Sequence, residues 1–518
     1  MAEIARQSRA PGAAAPSGWD VPLADEPATL RFGRLLAEEL LPGDVVALAG
    51  GLGAGKTTLA RAIVRALAGD EGLEVPSPTF TLMQAYDTPR GPVVHADLYR
   101  VGDPQELAEL GFEEAAETGI LLVEWPERAG SALKEDRLEI AIDLAPDGAR
   151  TARLSGTGSV AARLARIKAI RAVMEASGWA DARRVPIQGD ASTRAYERLV
   201  KSTGETAVLM IAPKRPDGPA VRRGKPYSAI AKLAESVHAF VAVDRGLRAL
   251  GFSAPKIFGE DLDTGLLMLE DLGSEPLIDA DGPVPERYEE ATRLLARLHA
   301  VEVPTTLPLT EGREYTLPPY DLEAFLIEVE LLLDWYAPHI PRTLLPGSAR
   351  AEFVRIWTEL LDDLLAGSRT WTLRDYHSPN LLWLPEREGI ARVGLLDFQD
   401  AVLGPPAYDV ASLLQDARVT VPAELELRLL GTYARERREA DAAFDTAGFA
   451  AAYAVMAAQR ATKVLGIFAR LDRRDGKPQY LRHVPRAEAY LSRNLAHPAL
   501  SRLAGWYQTY LPKLFERG

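Results

Sequence analysis

The chain has 518 residues, of which 47% are hydrophobic and 26% charged, so it has the composition of a globular protein with room for two or three domains. It contains no cysteine and no apolar stretch long enough to cross a bilayer, which excludes disulfides, thiolate metal sites and a cysteine nucleophile and favours a cytoplasmic protein without membrane contact. Residues 1–150 carry 25 acidic and 13 basic side chains, a net charge of −12 out of −13 for the whole chain, so this part is poorly suited to bind nucleic acid directly.

Along the chain, residues 1–22 are predicted to be a flexible tail, and residues 23–156 to form the first folded unit. An apolar run over residues 45–49 is typical of a buried strand, and a helical pattern follows over residues 59–67. Further strands and one helix alternate beyond it, which predicts an α/β domain with a largely parallel sheet. The predicted strands are 79–85, 92–97, 120–124 and 138–144, and the predicted helix is 104–117.

The segment between the first strand and the first helix reads Gly-Gly-Leu-Gly-Ala-Gly-Lys-Thr-Thr over residues 50–58. A strand, a glycine loop and a helix in this order are the context of a P-loop, whose backbone N–H groups surround a phosphate at a helix N-terminus. The pattern predicts an ATP site in which the lysine reaches the β- and γ-phosphates and the first threonine binds Mg²⁺. The predicted nucleotide-binding residues are Gly50, Gly53, Ala54, Gly55, Lys56, Thr57 and Thr58.

Acidic residues end two of the predicted strands. Asp97 and Glu124 stand at the carboxyl ends, where an open α/β sheet presents its ligand-binding groups. With Thr57 they are the candidates to hold Mg²⁺, and Glu124 is also the candidate to position the attacking water. Either residue alone is as well explained by a helix cap or a solvated charge.

The motifs of this unit, taken together, resemble the TsaE family. They read Gly-Gly-Leu-Gly-Ala-Gly-Lys-Thr-Thr, Ser-Pro-Thr-Phe-Thr-Leu, His-Ala-Asp-Leu-Tyr-Arg and Val-Glu-Trp-Pro-Glu-Arg, in order within residues 25–155. The resemblance implies the ATPase component of the machinery that makes threonylcarbamoyladenosine in tRNA, with Trp125 beside the nucleotide. It also implies TsaD-like and TsaB-like partner proteins, with tRNA contacted only indirectly. A nucleotide-sensing switch that seldom turns over is the alternative for this unit.

The second unit is predicted over residues 185–518, after a linker helix within 157–184. Its beginning is rich in strands, with one helix over residues 230–250, and the rest is mostly helical. We therefore expect a P-loop α/β domain followed by an α+β, protein-kinase-like domain with a small lobe (185–272) and a large lobe (273–518).

The second unit contains the spacing of a kinase catalytic loop. Asp375 and Asn380 have the Asp-x₄-Asn spacing, and Asp397 follows an apolar strand as a metal-binding aspartate does. In such a site one carboxylate accepts the proton of the attacking hydroxyl, while an amide oxygen and a second carboxylate hold Mg²⁺ on the phosphates of ATP. Two further segments are consistent with nucleotide binding: a phosphate-covering turn containing Ser192 and Arg194, and a hinge in which backbone groups from Glu270 to Leu272 bind adenine.

These segments resemble the aminoglycoside phosphotransferase superfamily over about residues 165–510, and most closely its AmgK-type kinases of N-acetylmuramate and N-acetylglucosamine. The strings that carry the likeness are Gly-Asp-Ala-Ser-Thr-Arg-x-Tyr, Leu-Arg-Asp-Tyr-His-Ser-Pro-Asn-Leu-Leu-Trp-Leu, Leu-Asp-Phe-Gln-Asp-Ala and Gly-Pro-Pro-Ala-Tyr-Asp-Val-Ala-Ser-Leu. The resemblance implies an amino-sugar substrate, Asp375 as base, Asn380 and Asp397 as metal ligands, and Asp409 as a structural anchor.

One departure from the superfamily pattern concerns the strand lysine that usually binds phosphate. Met210 stands where that lysine is expected, and Lys214 or Arg194 is a candidate to supply the cation instead. Two alternatives therefore stay open for the second unit: a kinase of another small alcohol, such as an aminoglycoside, choline or a homoserine-like compound, or a silent nucleotide-binding module.

Overall fold

The computed structural model describes residues 18–187, 194–214 and 218–515, and its contacts divide the chain into two units with a boundary between Ala182 and Arg183. None of the helices in these residues combines the length and the apolar character needed to cross a membrane. The predicted fold class of both units is confirmed.

The first unit is built on a seven-stranded mixed sheet in the order β1-β7-β6-β2-β5-β4-β3. Its strands are β1 (Trp19–Leu23), β2 (Val45–Ala49), β3 (Met83–Thr88), β4 (Gly91–Asp97), β5 (Ile120–Glu124), β6 (Leu138–Leu144) and β7 (Arg150–Gly156). Its helices are α1 (Glu26–Glu39), α2 (Lys56–Ala68), α3 (Glu106–Glu109), α4 (Phe112–Thr118) and α5 (Gly158–Ala176).

The sheet is less parallel than the alternation of elements predicted. Strand β2 pairs in parallel with β5 and β6, and β5 pairs in parallel with β4. The outer pairs β1–β7, β6–β7 and β3–β4 are antiparallel. Short turns join β3 to β4 and β6 to β7, and a short turn can connect only antiparallel neighbours.

Two predicted elements of this unit, and the helix predicted to follow it, differ in the structure. The strand predicted over 79–85 begins only at Met83, because residues 79–82 form a turn. The helix predicted over 104–117 is two short helices separated at Gly111, which has a φ of 72°. The helix expected to link the units, α5, packs on the first unit through Val160, Leu164 and Ile167.

The second unit begins with a five-stranded antiparallel sheet in the order β13-β14-β10-β9-β8. The strands of this unit are β8 (Arg183–Ile187), β9 (Ala195–Val200), β10 (Thr206–Ile211), β11 (Ala220–Arg222), β12 (Lys225–Pro226), β13 (Ile257–Asp261), β14 (Leu266–Glu270), β15 (Ile278–Asp279), β16 (Gly282–Pro283), β17 (Thr306–Pro308), β18 (Glu314–Thr316), β19 (Thr370–Thr372), β20 (Leu381–Trp383), β21 (Val393–Leu395) and β22 (Val402–Gly404).

Most of the remaining chain is helical, and one continuous hydrophobic core joins the sheet to the helices. The helices are α6 (Tyr227–Ile230), α7 (Val237–Ala249), α8 (Pro285–Leu298), α9 (Leu322–Leu331), α10 (Ala337–His339), α11 (Gly347–Leu365), α12 (Ala407–Leu414), α13 (Ala423–Ala440), α14 (Thr446–Asp475), α15 (Val484–Asn494) and α16 (Ser501–Tyr510), with a π-helical turn at Leu332–Tyr336.

The single helix predicted over 230–250 is interrupted between α6 and α7. The intervening backbone is bound by side chains from distant parts of the chain: the Arg374 Nη1 donates to the carbonyl oxygen of Ala231, and the Asp400 carboxylate accepts from the N–H of Ala234. These long-range contacts replace helical hydrogen bonds, which local periodicity cannot indicate.

Candidate active sites

The glycine loop of the first unit connects β2 to α2 and requires its glycines. Gly50, Gly53 and Gly55 have φ values of 140°, 77° and 109°, a region that residues with a Cβ rarely enter. A Cβ on Gly50 would lie 2.6 Å from the carbonyl oxygen of Ile142, so the loop also packs too closely against β6 for a side chain. Ala54 is buried, and Thr57 and Thr58 lie in the first turn of α2.

The lysine of this loop is nearly enclosed. Lys56 is 4% exposed, and its Nζ donates to the carbonyl oxygens of Gly50 and Gly51 at 2.8 and 2.9 Å. Burial lowers its pKa, against the opposing effect of Glu124 and Asp97. The Nζ lies 3.8 Å from the ring centroid of Trp125, so the structure brings the predicted tryptophan next to the predicted phosphate-binding lysine.

The three predicted metal-binding residues of this unit meet at the same edge of the sheet. Asp97 and Glu124 are paired in register on the parallel strands β4 and β5, and both are nearly completely buried. The Thr57 hydroxyl donates to the Glu124 Oε2 at 3.0 Å. Hydroxyls of Ser77 and Thr79 donate to the Asp97 Oδ2 at 2.9 and 2.8 Å, which fixes the loop before β3 over this carboxylate.

One residue of this site was not predicted. The His95 Nε2 lies 2.8 Å from the Glu124 Oε1, and both side chains are buried. His95 is two residues before Asp97 on β4, so side-chain alternation along a strand places both on the same face and was the available signal.

In the second unit, the predicted catalytic loop lies between β19 and β20. The Asp409 carboxylate accepts from the backbone N–H groups of Leu373 and Arg374 at 2.6 and 2.9 Å, as expected of an anchor. The Asn380 Nδ2 donates to the carbonyl oxygen of Asp375 at 3.0 Å. Arg374 and Asp397 have φ values of 68° and 55°, so the residue before the predicted base and one predicted metal ligand both hold a strained backbone conformation.

Burial and the charges around the loop shift the pKa values of Asp375 and Asp397 in opposite directions. Burial acts to raise the pKa of Asp375, but His377, Arg460 and Lys463 outweigh it and lower the pKa below its ordinary value. The side chain of Asp375 is 39% exposed, so it is accessible to a substrate. Burial, and then the nearby Asp375, raise the pKa of Asp397. Two neighbouring carboxylates disfavour each other's ionised form, and a bound cation would stabilise both in that form.

Of the two candidates for the missing cation, the structure brings Arg194 to the site. Its Nη1 donates to the Asp397 Oδ1 at 2.9 Å, and the Gln399 Nε2 donates to the same oxygen at 2.9 Å. Arg194 also lines a small cavity beside Met210, which is buried on β10. Lys214 lies on the exposed surface after that strand.

Part of the predicted hinge already forms hydrogen bonds within the second unit. The Glu270 N–H donates to the carbonyl oxygen of Lys256 at 2.8 Å, and its carboxylate accepts from Arg387 at 2.9 Å. Leu272 is 8% exposed and packs near Gly394. The N–H of Glu270 is therefore used inside the unit, which leaves the residues after it for adenine. Ser192 lies outside the described residues.

Comparison with known proteins assigns both units. The family model described as threonylcarbamoyl adenosine biosynthesis protein TsaE matches residues 23–152, and that of the phosphotransferase enzyme family matches residues 183–445, over half of the chain. A Rickettsia felis protein named tRNA threonylcarbamoyladenosine biosynthesis protein TsaE is 40% identical over 128 residues, which are 25% of this chain and 74% of that protein. The chain belongs to the TsaE family in its first unit and to the phosphotransferase enzyme family in its second.

The phosphotransferase unit has a relative of nearly equal extent. The N-acetylmuramate/N-acetylglucosamine kinase of Caulobacter vibrioides is 41% identical over 354 residues, which are 66% of this chain and 95% of that protein. Among solved structures, a choline/ethanolamine kinase family protein from Mesorhizobium loti is 15% identical with a TM-score of 0.39, over 67% of this chain and 99% of that one. The predicted membership of both families is confirmed.

The donor atoms of both sites fit Mg²⁺, which prefers oxygen ligands. The TsaE unit offers the Thr57 hydroxyl with Asp97 and Glu124, and the phosphotransferase unit offers Asn380 with Asp397. Among the residues that the structure describes, no group of three His, Asp or Glu side chains is placed to hold a metal ion by itself. Sites with only two or three protein ligands suit a cation that is also bound by the phosphates of a nucleotide.

Proposed function

We propose that the chain is a bifunctional cytoplasmic protein that uses ATP in both units. The phosphotransferase unit transfers the γ-phosphate of ATP to the anomeric hydroxyl of N-acetylmuramate and N-acetylglucosamine. The observation that carries this proposal is the joint placement of Asp375, Asn380 and Asp397, in a unit that matches the Caulobacter vibrioides kinase along nearly its full length.

The residues in and around the catalytic loop would have different roles in this reaction. Asp375 accepts the proton of the sugar hydroxyl, and its lowered pKa keeps it ionised at neutral pH. Asn380 and Asp397 would hold Mg²⁺, which when bound neutralises charge on the phosphates. Arg194 supplies the positive charge of the absent strand lysine beside Asp397. An anomeric hydroxyl is more acidic than other sugar hydroxyls, so it requires less assistance from the base.

The test is phosphate transfer to a panel of alcohols, followed by ³¹P NMR. The full chain is incubated with Mg-ATP and N-acetylmuramate, N-acetylglucosamine, an aminoglycoside, choline or homoserine, and Asp375→Asn is the control. We expect a C-1 phosphate on the two amino sugars and a loss of at least about a hundredfold in the control. Phosphate on a different alcohol would replace the substrate assignment, and transfer to none with ATP still bound would indicate a silent module.

For the first unit we propose the ATPase role in tRNA threonylcarbamoyladenosine formation, in complex with TsaD-like and TsaB-like proteins. Lys56 would contact the phosphates, and Thr57, Asp97 and Glu124 would form the Mg²⁺ and catalytic shell. The enclosure of these residues at one sheet edge supports the assignment. The acidic character of residues 1–150 supports contact with protein partners and only indirect contact with tRNA.

This role is tested by adding purified TsaD-like and TsaB-like proteins to the full chain. We expect a stable complex and ATP hydrolysis that rises on complex formation, and Lys56→Ala should abolish the rise. Binding without any rise in hydrolysis would favour the nucleotide-sensing switch instead.

A further inference from the structure

Three arginines cluster on the large-lobe side of the catalytic loop. Arg418 follows α12, and Arg482 and Arg486 flank His483 at the start of α15. The Arg482 Nε lies 3.2 Å from the His483 Nε2, and the Arg486 Nη1 lies 3.5 Å from the His483 Nδ1. Burial, followed by these two arginines and Arg418, lowers the pKa of His483, so all three charges act on the same ring.

The cluster carries more positive than negative charge, because its three arginines have one carboxylate, Asp416, beside them. Within the described part of the chain, none of the three guanidinium groups forms a salt bridge with a carboxylate, whereas Arg198 pairs with Asp271 elsewhere in the unit. The nearby Asp416 carboxylate is engaged by the backbone N–H of Arg418 and by the N–H and hydroxyl of Ser378. Three guanidinium groups beside a single carboxylate still repel each other, and a further anion relieves that repulsion.

A buried histidine connects the cluster to the catalytic base. His377 is 5% exposed, and its Nε2 accepts from the Arg418 Nη1 at 3.1 Å and lies 3.9 Å from the Asp375 Oδ1. The Arg418 Nη1 is therefore no more than 7.0 Å, the sum of these two distances, from the base. The His377 Nδ1 is buried and has no hydrogen-bond partner among the described residues, so the site holds an unpartnered polar atom as well as excess positive charge.

We propose that Arg418, together with Arg482 and Arg486, forms a subsite for a carboxylate of the sugar substrate. The inference rests on the proposed kinase function. N-acetylmuramate carries a lactyl carboxylate at O3, which N-acetylglucosamine lacks, on the same ring as the hydroxyl that Asp375 would deprotonate. The base would face the hydroxyl and the arginine cluster would face the carboxylate, and the two lie within the length of one sugar. Guanidinium groups bind carboxylates through charge-assisted hydrogen bonds.

The two sugars provide an internal comparison for the test. In the full chain, we expect Arg418→Gln to lower the ratio of kcat/KM for N-acetylmuramate to kcat/KM for N-acetylglucosamine by about ten- to a hundredfold, the loss expected for a hydrogen bond between charged groups. The KM for ATP should stay the same. Arg428→Gln is the matched control, because Arg428 is an exposed arginine on α13 and its removal should leave the ratio unchanged.

Each other outcome contradicts the subsite. An equal loss for both sugars would mean that Arg418 only positions His377, and a higher KM for ATP would mean that the cluster binds phosphate. Arg486→Gln provides the same comparison if Arg418→Gln fails to fold, as judged by thermal unfolding. A wild-type chain that phosphorylates neither sugar would refute the proposed function itself, whereas one that phosphorylates both with an unchanged ratio in both variants would refute only the subsite.

Discussion

A buried charge network next to the predicted catalytic loop allows a prediction about the stability of the second unit. Its centre is Glu328 on α9, which is completely buried. The Glu328 Oε1 accepts from Arg374 and Lys463, and the Oε2 accepts from Tyr320 and Gln459. Burial acts to raise the pKa of Glu328, but Lys463 and Arg374 lower it below its ordinary value of 4.5, so the carboxylate is ionised at neutral pH.

We expect Glu328→Gln to lower the free energy of unfolding of the phosphotransferase unit by about 3–5 kcal/mol, because it leaves two buried cations without their counter-charge. This is at least about a fifth of the roughly 5–15 kcal/mol that stabilises a typical domain. The matched control is Glu330→Gln on the same helix. Glu330 pairs with Arg222, which is 32% exposed, so its loss should cost about 1 kcal/mol or less.

The assay is urea unfolding of the full chain, fitted with a separate transition for each unit. Equal shifts of the phosphotransferase transition in the two variants would refute the reasoning. The pH dependence gives a second check. Because the folded-state pKa of Glu328 is lowered, its contribution is complete above about pH 4.5 and disappears as the pH falls through the folded value. The deficit of Glu328→Gln should therefore shrink in acid.

Three further predictions concern other parts of the chain. Gly50→Ala should abolish nucleotide binding in the TsaE unit, because its Cβ would collide with the Ile142 carbonyl; calorimetric titration with Mg-ATP should then show one occupied site instead of two. Arg194→Ala should lower the kcat of sugar phosphorylation by about 10²–10³, the loss typical of a single electrostatic stabiliser, while Lys214→Ala leaves it unchanged in the same assay. Burial lowers the pKa of His299 to about 3, so below pH 6.5 this histidine adds one bound proton to the unfolded chain; in urea titrations the unfolding free energy of the wild type minus that of His299→Gln should therefore fall by about 1.4 kcal/mol per pH unit between pH 6 and 4.

The sequence was most informative where function depends on neighbours in the chain. The glycine loop and the Asp375–Asn380 spacing are local patterns, and their strand and helix contexts predicted where they lie in the fold. His95 and Arg418 depend on pairings across tens of residues, as His95 meets Glu124 and Arg418 meets His377. The antiparallel edges of the first sheet were missed for a related reason. The direction of these edge strands depends on which strands pair with each other, and the periodicity of a single strand does not reveal its partner.

The charge network also shows what buried ions do in this unit. Removing a buried ion pair from water costs free energy that apolar packing would not, so Glu328, Arg374 and Lys463 are weak evidence for stability as such. Their position suggests a different benefit: Arg374 immediately precedes Asp375, the proposed base, has a φ of 68°, and donates to both Glu328 and the Ala231 carbonyl. A strained residue needs contacts that fix it, and an ion pair with defined geometry fixes it more sharply than apolar contact. The network therefore holds Asp375 in place at a cost in stability, and a well-packed apolar replacement of all three charges should fold but lose kcat.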